Sequence, residues 1–193
     1  MRVILASASP RRKELLERLF DDFEIIPAQG EEIVTTNDPE KVVKELSFQK
    51  AREVEDRLFK DDEDKEIYLI IGSDTVVSKD GRILGKPKDE DDAMMMLGFL
   101  SGDVHMVSTG VTIIKCVNGE RKYKTFHENT MVEFYNMTGR EIREYVYTGE
   151  PMDKAGAYGI QGLGARFVKR IEGSNDNVIG LPVARLYQEL KEL

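Results

Sequence analysis

The sequence has very little of the chemistry that cysteine and histidine supply. Cys116 is the single cysteine in 193 residues, so no intrachain disulfide and no cysteine-rich zinc site can form. A lone free thiol is typical of a reducing compartment. The two histidines, His105 and His127, lie 22 positions apart, a spacing that argues against catalysis by a histidine pair.

Long hydrophobic runs are also missing. The longest strongly apolar stretch covers residues 67–71, whereas a membrane-spanning helix needs about 20 residues. The apolar run at residues 3–6 is shorter than the core of a secretory signal peptide. We therefore expect a soluble, cytoplasmic protein that does not associate with membranes.

Positive charge is in deficit. The chain has 28 Lys and Arg against 36 Asp and Glu, which gives a net charge of −8. Binding to a nucleic acid polymer needs a basic face, so we expect no DNA or RNA partner. A small anionic ligand held by a few local cations is compatible with this charge. With 40% hydrophobic residues the chain can form a core, and its length predicts one domain over residues 1–193, with one or two lobes.

Alternating strand and helix signals predict a mixed α/β fold. The pairs Asp80-Gly81 and Asn118-Gly119 each predict a hairpin turn. A glycine-rich loop is predicted at residues 149–164. Buried strands are expected at residues 3–6 and 67–71, a further strand at residues 165–171, and helices at residues 10–20, 39–59, 89–100, 138–147 and 182–193.

Two groups of cations are candidates for an anion site. In the segment SASPRRK at residues 7–13, Ser9 is the predicted N-cap, and Arg11 and Arg12 follow it. Hydroxyls, backbone N–H groups and cations together suit a phosphate, and the alternative is a solvated basic helix start. Lys50 lies on a helix stripe with apolar residues spaced by four. Its ammonium therefore either meets a buried anion or extends into water.

Carboxylates and a further lysine provide the second set of candidates. Asp74 follows the apolar run 67–71, and open α/β sheets bind ligands at the carboxyl ends of their strands. Such a carboxylate can bind a metal, activate water or cap a local turn. The pair Glu31-Glu32 either holds a hard cation or is exposed charge. Lys86 adds a positive charge at a predicted strand end.

The glycine-rich loop carries polar side chains of several kinds. Asp153 and Lys154 supply both signs of charge, and the amide of Gln161 can pair with a base edge. The glycines allow the backbone to approach a ligand, and the alternative is a mobile surface loop. Taken with the cations and carboxylates, the loop indicates a metal-assisted site for a nucleoside triphosphate.

Segments along the whole chain resemble the Maf family of nucleoside triphosphate pyrophosphatases, also described as septum-formation inhibitors. The most specific are SPRR at residues 9–12 and EPMDKAGAYGIQG at residues 150–162. The supporting segments are LASASPRRKELL (5–16), EE (31–32), FQKA (48–51), IGSDTVV (71–77), GKP (85–87), LSGDVHMVSTGV (100–111) and NVIGLPV (177–183). One departure is GSND at residues 173–176, where family members usually carry a tyrosine-containing stretch; it bears on fine substrate preference.

The resemblance implies a fold and a set of site residues. The fold would be a long, strongly twisted mixed sheet with flanking helices and two lobes around a central cleft, as in inosine triphosphate pyrophosphatases. The resemblance also implies a divalent cation (Mg²⁺ or Mn²⁺), a cytoplasmic setting and a homodimer. The family's catalytic carboxylate falls on Asp74, and Glu32 would help Asp74 hold the cation. The other motif residues fall on Ser9, Arg11, Arg12, Lys50, Lys86, Asp153 and Lys154.

The resemblance further implies a reaction. Arg12, Thr75 and Gln161 match the base-selecting positions of the subfamily that acts on dTTP and UTP. The expected reaction is hydrolysis of dTTP, UTP and modified pyrimidine nucleotides to the monophosphate and pyrophosphate, which removes non-standard or excess nucleotides. Lys50 and Lys86 are expected to act with Asp74 and Glu32 in catalysis. The alternatives are a nucleotide-binding regulator of cell division without catalysis, and a phosphatase that removes the terminal phosphate.

Overall fold

The computed structural model describes residues 1–59 and 66–193. The charge-rich run at residues 60–65, for which we predict a solvated helix end and loop, lies outside the described residues. Within the described ranges the helices are α1 (Pro10–Leu16), α2 (Pro39–Leu58), α3 (Glu90–Leu100), α4 (Gly139–Val146), α5 (Asn175–Ile179) and α6 (Val183–Lys191). The strands are β1 (Arg2–Leu5), β2 (Glu24–Ile25), β3 (Tyr68–Lys79), β4 (Arg82–Leu84), β5 (Val104–Val117), β6 (Glu120–Phe134) and β7 (Val168–Glu172).

The strands form one mixed sheet in the order β2-β1-β3-β5-β6-β7, with β4 paired to β3. β1 runs parallel to both β2 and β3, with Leu5 opposite Ile71. β4 is antiparallel to β3, and β7 is antiparallel to β6. The run 68–71 in β3 is buried along its whole length, as a strand covered on both faces requires. The fold class predicted from the sequence is therefore confirmed.

Contacts divide the chain into two compact units. Unit one comprises Met1–Asp74, Thr109–Glu128 and Gly180–Leu193, and unit two comprises Thr75–Ser108 and Asn129–Ile179. The strands β3, β5 and β6 each contribute residues to both units. Among the helices in the described ranges, none has the length and apolar character that a membrane span requires.

In unit one, α2 packs closely on the sheet. Asp38 caps this helix by accepting a hydrogen bond from the Glu40 N–H, and Pro39 occupies its first turn. Glycine is needed where the helix backbone meets the strands: a Cβ on Gly72 would lie 2.4 Å from a carbonyl oxygen of α2, and one on Gly110 would lie 2.2 Å from another. The close approach places the side chains of α2 directly against β3.

Unit two has its own core, built on α3 and α4. Asp89 caps α3, and Thr138 with Glu141 forms the predicted capping box of α4. The core includes fully buried Leu97, Phe134 and Tyr145. The hairpin turns predicted at Asp80-Gly81 and Asn118-Gly119 are both confirmed, and all four turn residues have positive φ.

Several predicted boundaries are wrong. α1 ends at Leu16 rather than at residue 20, and the expected strand at 165–171 is a 3₁₀ turn (Gly162–Phe167) followed by β7. The predicted glycine-rich loop at residues 149–164 is ordered, and 3₁₀ turns lie along it. The short elements β2 and α5 are not evident in the sequence pattern.

Candidate active site

Asp74 lies inside β3 rather than beyond its carboxyl end. The apolar run predicted a strand over residues 67–71 with Asp74 just after it, but β3 extends from Tyr68 to Lys79. The strand continues because its polar residues find partners within the fold: Ser73 donates to a carbonyl oxygen at 3.0 Å, and Asp74 accepts from Lys50. The Asp74 side chain is only 12% exposed. A carboxylate is thus held in the middle of a buried strand.

Lys50 joins two carboxylates. Its Nζ donates to Asp74 Oδ1 and forms an ion pair with Glu32 Oε1 at 2.8 Å. The Lys50 side chain is 18% exposed, and that of Glu32 is 54% exposed. Two interpretations of Lys50 were open: its ammonium meets a buried anion, or it extends into water. The structure supports the first, because carboxylates pair with the ammonium. Glu32, Lys50 and Asp74 are hereafter called the lysine–carboxylate cluster.

The extended segment that carries Glu32 is held against α2 by a regular series of hydrogen bonds. Side chains one helical turn apart, at positions 45, 49 and 53, bond the backbone of residues 29–35. The Gln49 amide forms two of these bonds, since it accepts from the Ile33 N–H at 3.0 Å and donates to the Ile33 carbonyl at 2.5 Å. The others join Glu45 to Thr35, and Glu53 to Gln29 and Gly30. This polar stripe, spaced by four, was available in the sequence and was missed.

The N-cap predicted for α1 is confirmed. Ser9 is the N-cap of α1, and its hydroxyl accepts from the Arg12 N–H at 3.4 Å. Ser7 is buried, and its Oγ accepts from the Ser9 N–H and from Arg12 Nη1, both at 3.2 Å. The hydroxyls therefore orient Arg12 within the fold.

A single carbonyl oxygen connects this segment to β3. The Gly180 carbonyl accepts from Arg12 Nε at 2.9 Å and from Ser73 Oγ at 3.0 Å. Burial lowers the pKa of the Arg12 guanidinium, and the nearby Asp74 carboxylate opposes that shift. Arg12 is thus anchored beside the lysine–carboxylate cluster. No sequence signal linked Gly180 to this arrangement.

In unit two, two predicted segments meet through the backbone. The Gly156 N–H donates to the Gly85 carbonyl at 3.0 Å, which brings the GKP segment at 85–87 to the EPMDKAG segment. Gly156 has a φ of +68°, and a Cβ there would lie 2.8 Å from the Val77 side chain, so glycine is required. Lys86 is exposed at this junction, whereas Pro87 is buried.

The remaining predicted residues also lie in unit two. Lys154 is 13% exposed, and its Nζ bonds Asp153 Oδ1 at 2.7 Å and the Glu150 carbonyl at 2.5 Å. Gln161 is exposed at the start of a 3₁₀ turn, and Thr75 is half-buried in β3. The structure thus forms two groups from the predicted residues, one in each unit. Arg11 and Glu31 also lie in unit one.

The donor set of the lysine–carboxylate cluster fits one kind of metal site. Mg²⁺ keeps several waters and uses one or two carboxylates together with substrate phosphates. Glu32 and Asp74 offer two carboxylates, and Glu32 is open to solvent. Over residues 1–59 and 66–193 there is no group of three or more His, Cys, Asp or Glu side chains arranged to enclose a metal. The cluster therefore fits a hydrated Mg²⁺ or Mn²⁺ ion that arrives with phosphate ligands.

The mixed α/β fold is a known architecture. The solved structure of the Ham1 protein of Staphylococcus aureus matches 100% of this chain and 98% of its own, with a TM-score of 0.50 and 15% identity, which shows a shared fold. The sequence model of the Maf-like protein family matches residues 2–193. The chain belongs to the Maf family.

Full-length relatives support this assignment. A protein of Agathobacter rectalis named dTTP/UTP pyrophosphatase is 52% identical, with 99% of this chain and 97% of the relative covered. A protein of the same name from Carboxydothermus hydrogenoformans is 50% identical, with 100% of this chain and 98% of the relative covered. A third protein of that name, from Clostridium perfringens, is 47% identical, with 99% of this chain and 96% of the relative covered.

Proposed function

We propose that this protein hydrolyses dTTP and UTP to the nucleoside monophosphate and pyrophosphate. The relatives that share about half of its sequence over their full length carry the name dTTP/UTP pyrophosphatase. The observation that carries the proposal is the lysine–carboxylate cluster, in which a low-exposure carboxylate on a rigid strand is paired with a positioned cation. The proposed substrates include modified pyrimidine nucleotides, and their hydrolysis would remove non-standard or excess nucleotides.

Asp74 is the proposed general base. A water oxygen attacks the α-phosphorus, the bond from that phosphorus to the bridging oxygen breaks, and pyrophosphate leaves with the bridging electrons. Asp74 takes the proton that the water gives up. Its low exposure and its position within β3 limit its freedom, which favours a single orientation toward the nucleophile.

Lys50 stabilises charge in this scheme. In the free protein its ammonium separates the two carboxylates, which would otherwise repel each other. When a triphosphate binds, the same ammonium can donate to a phosphate oxygen on which charge develops. Arg11 near Ser9, together with Lys86 and Lys154, is proposed to grip the β- and γ-phosphates.

A divalent cation is proposed as cofactor. Glu32 and Asp74 would hold it, and when bound it would neutralise charge on the phosphate oxygens. Glu32 is the more exposed of the two carboxylates, so it is the better placed to exchange Lys50 for a hydrated ion. The cytoplasmic setting and the homodimer stay predictions.

Base preference is assigned to Arg12, Thr75 and Gln161. Uracil and thymine present carbonyl oxygens and one ring N–H, which suit donors from Arg12 and Thr75 and both groups of the Gln161 amide. Cytosine reverses part of this pattern and would leave polar groups unpaired, at about 1–3 kcal/mol each. This corresponds to roughly 5- to 150-fold lower kcat/KM for CTP.

A nucleotide panel with separate product assays tests the proposal. Each of dTTP, UTP, CTP, GTP and 7-methyl-GTP is incubated with Mg²⁺ or Mn²⁺, and pyrophosphate and orthophosphate are measured separately. We expect monophosphate plus pyrophosphate, fastest with dTTP and UTP. Nucleoside diphosphate plus orthophosphate would indicate a terminal phosphatase, and binding without turnover would indicate a nucleotide-dependent regulator of cell division. A higher kcat/KM for GTP or 7-methyl-GTP would refute the pyrimidine assignment.

A further inference from the structure

Glu150 is a carboxylate that none of the roles above uses, yet its side chain accepts three hydrogen bonds within unit two. Its two oxygens accept from three donors: Oε2 from the Leu163 N–H at 2.9 Å, and Oε1 from the Gly164 N–H at 3.0 Å and the Tyr145 hydroxyl at 2.9 Å. A carboxylate that bonds two successive backbone N–H groups fixes the orientation of that stretch of chain.

These contacts flank Gln161 on both sides in the sequence. After Gln161 in sequence, residues 163 and 164 are bonded to Glu150. Before it, the Gly159 N–H donates to the Tyr145 hydroxyl at 3.2 Å, and that hydroxyl in turn donates to Glu150. The five-residue turn 159–163 is therefore tied at both ends to one carboxylate–phenol pair.

Packing leaves this turn little freedom. A Cβ on Gly164 would lie 2.4 Å from the Gly159 carbonyl and 2.6 Å from the Tyr145 hydroxyl. A Cβ on Gly162, which has a φ of +77°, would lie 2.8 Å from Glu150 Oε2. Glycines at these positions let the turn close on the carboxylate.

The charge state of Glu150 matches this role. Burial by itself raises the pKa of Glu150, but hydrogen bonds from the Leu163 and Gly164 N–H groups and from Tyr145 outweigh it, so the pKa lies below its ordinary value. At neutral pH the group is a carboxylate and can only accept, as each of its three partners requires. The positive charge of Lys154, whose ammonium bonds the Glu150 carbonyl, also lowers the pKa of Glu150.

We propose that Glu150, supported by Tyr145, is a positioning residue for base selection, because it holds the turn that presents Gln161 to the pyrimidine. This inference rests on the proposed function, in which Gln161 reads the base. It adds that discrimination depends on a carboxylate that does not itself touch the substrate.

The test compares base preference rather than overall rate. In Glu150→Gln one oxygen becomes an NH₂ group, which then faces a backbone N–H, so one of the two bonds to residues 163 and 164 is lost. We expect the ratio of kcat/KM for UTP to that for CTP to fall from roughly 5–150 toward 1. Gln161→Ala should lower the ratio to a similar extent, and the double variant should lower it no further.

Two further variants complete the design. Glu144→Gln on α4 removes an exposed carboxylate that pairs with Arg140 at 2.7 Å, and it should leave the ratio at its wild-type value. Tyr145→Phe removes the hydroxyl that bonds the Gly159 N–H and Glu150, and it should also lower the ratio. It provides the same test if Glu150→Gln does not fold, as judged by its melting temperature.

The outcomes separate this inference from the proposed function. If Gln161→Ala lowers the ratio while Glu150→Gln and Tyr145→Phe keep it, Glu150 is purely structural and the inference is wrong. If the double variant loses further discrimination, Glu150 acts independently of Gln161, which also overturns the inference. If Gln161→Ala itself leaves the ratio unchanged, base reading by Gln161 is wrong, and the inference fails with it.

Discussion

Replacement of Asp74 by asparagine is the sharpest test of the proposed chemistry. Asparagine keeps the size of the side chain but removes the charge and the ability to take a proton at neutral pH. If Asp74 is the general base, kcat should fall by about 10²- to 10⁴-fold. That loss corresponds to about 3–5 kcal/mol of additional activation free energy.

The same substitution should affect stability far less. Removing one partner of a fully buried ion pair costs about 3–5 kcal/mol, because the other charge is left unpaired. Here Lys50 keeps its ion pair with Glu32 at 2.8 Å, and Glu32 is 54% exposed, so water can reach the remaining charges. We therefore expect a loss of only about 1–2 kcal/mol, or roughly 2–8 °C in the melting temperature.

The assay measures kcat with dTTP and UTP at saturating Mg²⁺, and melting by circular dichroism, for wild type and variant. A matched control is Glu133→Gln in unit two, which removes a carboxylate bonded to Lys169 at 2.7 Å and should leave kcat unchanged. The reasoning is refuted if Asp74→Asn retains kcat within about tenfold of wild type. It is equally refuted if the lost activity is matched by loss of the folded state.

Three further predictions concern packing, pH and the segment that carries Glu32. Gly72→Ala places a methyl group 2.4 Å from a backbone oxygen of α2 and should lower the unfolding free energy by about 1–3 kcal/mol. Gly98→Ala, on α3 with open space around it, should raise the unfolding free energy by about 0.5–1 kcal/mol. Equal urea midpoints for the two variants would contradict the packing of α2. Burial lowers the pKa of His105 to about 4. Between that pH and about 6.5 the imidazole is protonated in the unfolded chain but not in the folded chain. The unfolding free energy should therefore rise with pH across this window by about 3 kcal/mol. His105→Gln should flatten that rise in urea midpoints, and an unchanged slope would refute the assignment. Gln49→Ala removes two hydrogen bonds that hold the segment carrying Glu32 against α2. Because Glu32 is then less well placed to bind the ion, the Mg²⁺ concentration for half-maximal activity should rise by roughly 2- to 10-fold. An unchanged Mg²⁺ requirement would show that Gln49 does not support the site.

Features governed by short-range chemistry were predictable from the sequence. The Thr138–Glu141 capping box, the Asp89 cap and the Asn118-Gly119 turn each depend on residues within a few positions of one another, and each is present. The long helix α2 also follows its predicted limits to within one residue, since its cap and apolar stripe lie in the same stretch of sequence. Local chemistry therefore determined most of the elements and the mixed α/β class.

The lysine–carboxylate cluster was only partly determined in this way. The spacing of apolar residues placed Lys50 on the inward stripe of α2, but spacing cannot say whether a carboxylate or water meets its ammonium. The partners come from a neighbouring strand and from an extended segment, so the tertiary packing of α2 on β3 made that choice. The same packing kept Asp74 in a continuous strand, where the apolar run had indicated that the strand ends at residue 71.

Only the tertiary structure revealed the supporting contacts. Arg12 and the Gly180 carbonyl are separated by 168 positions, and Ser73 and that same carbonyl by 107. Backbone carbonyls are present at every residue and carry no signal in the sequence, so such a pairing cannot be predicted from residue identity. The sequence by itself determined which side chains can do chemistry, and the folded chain decided which of them share a partner, because contacts across such separations depend on how the elements pack.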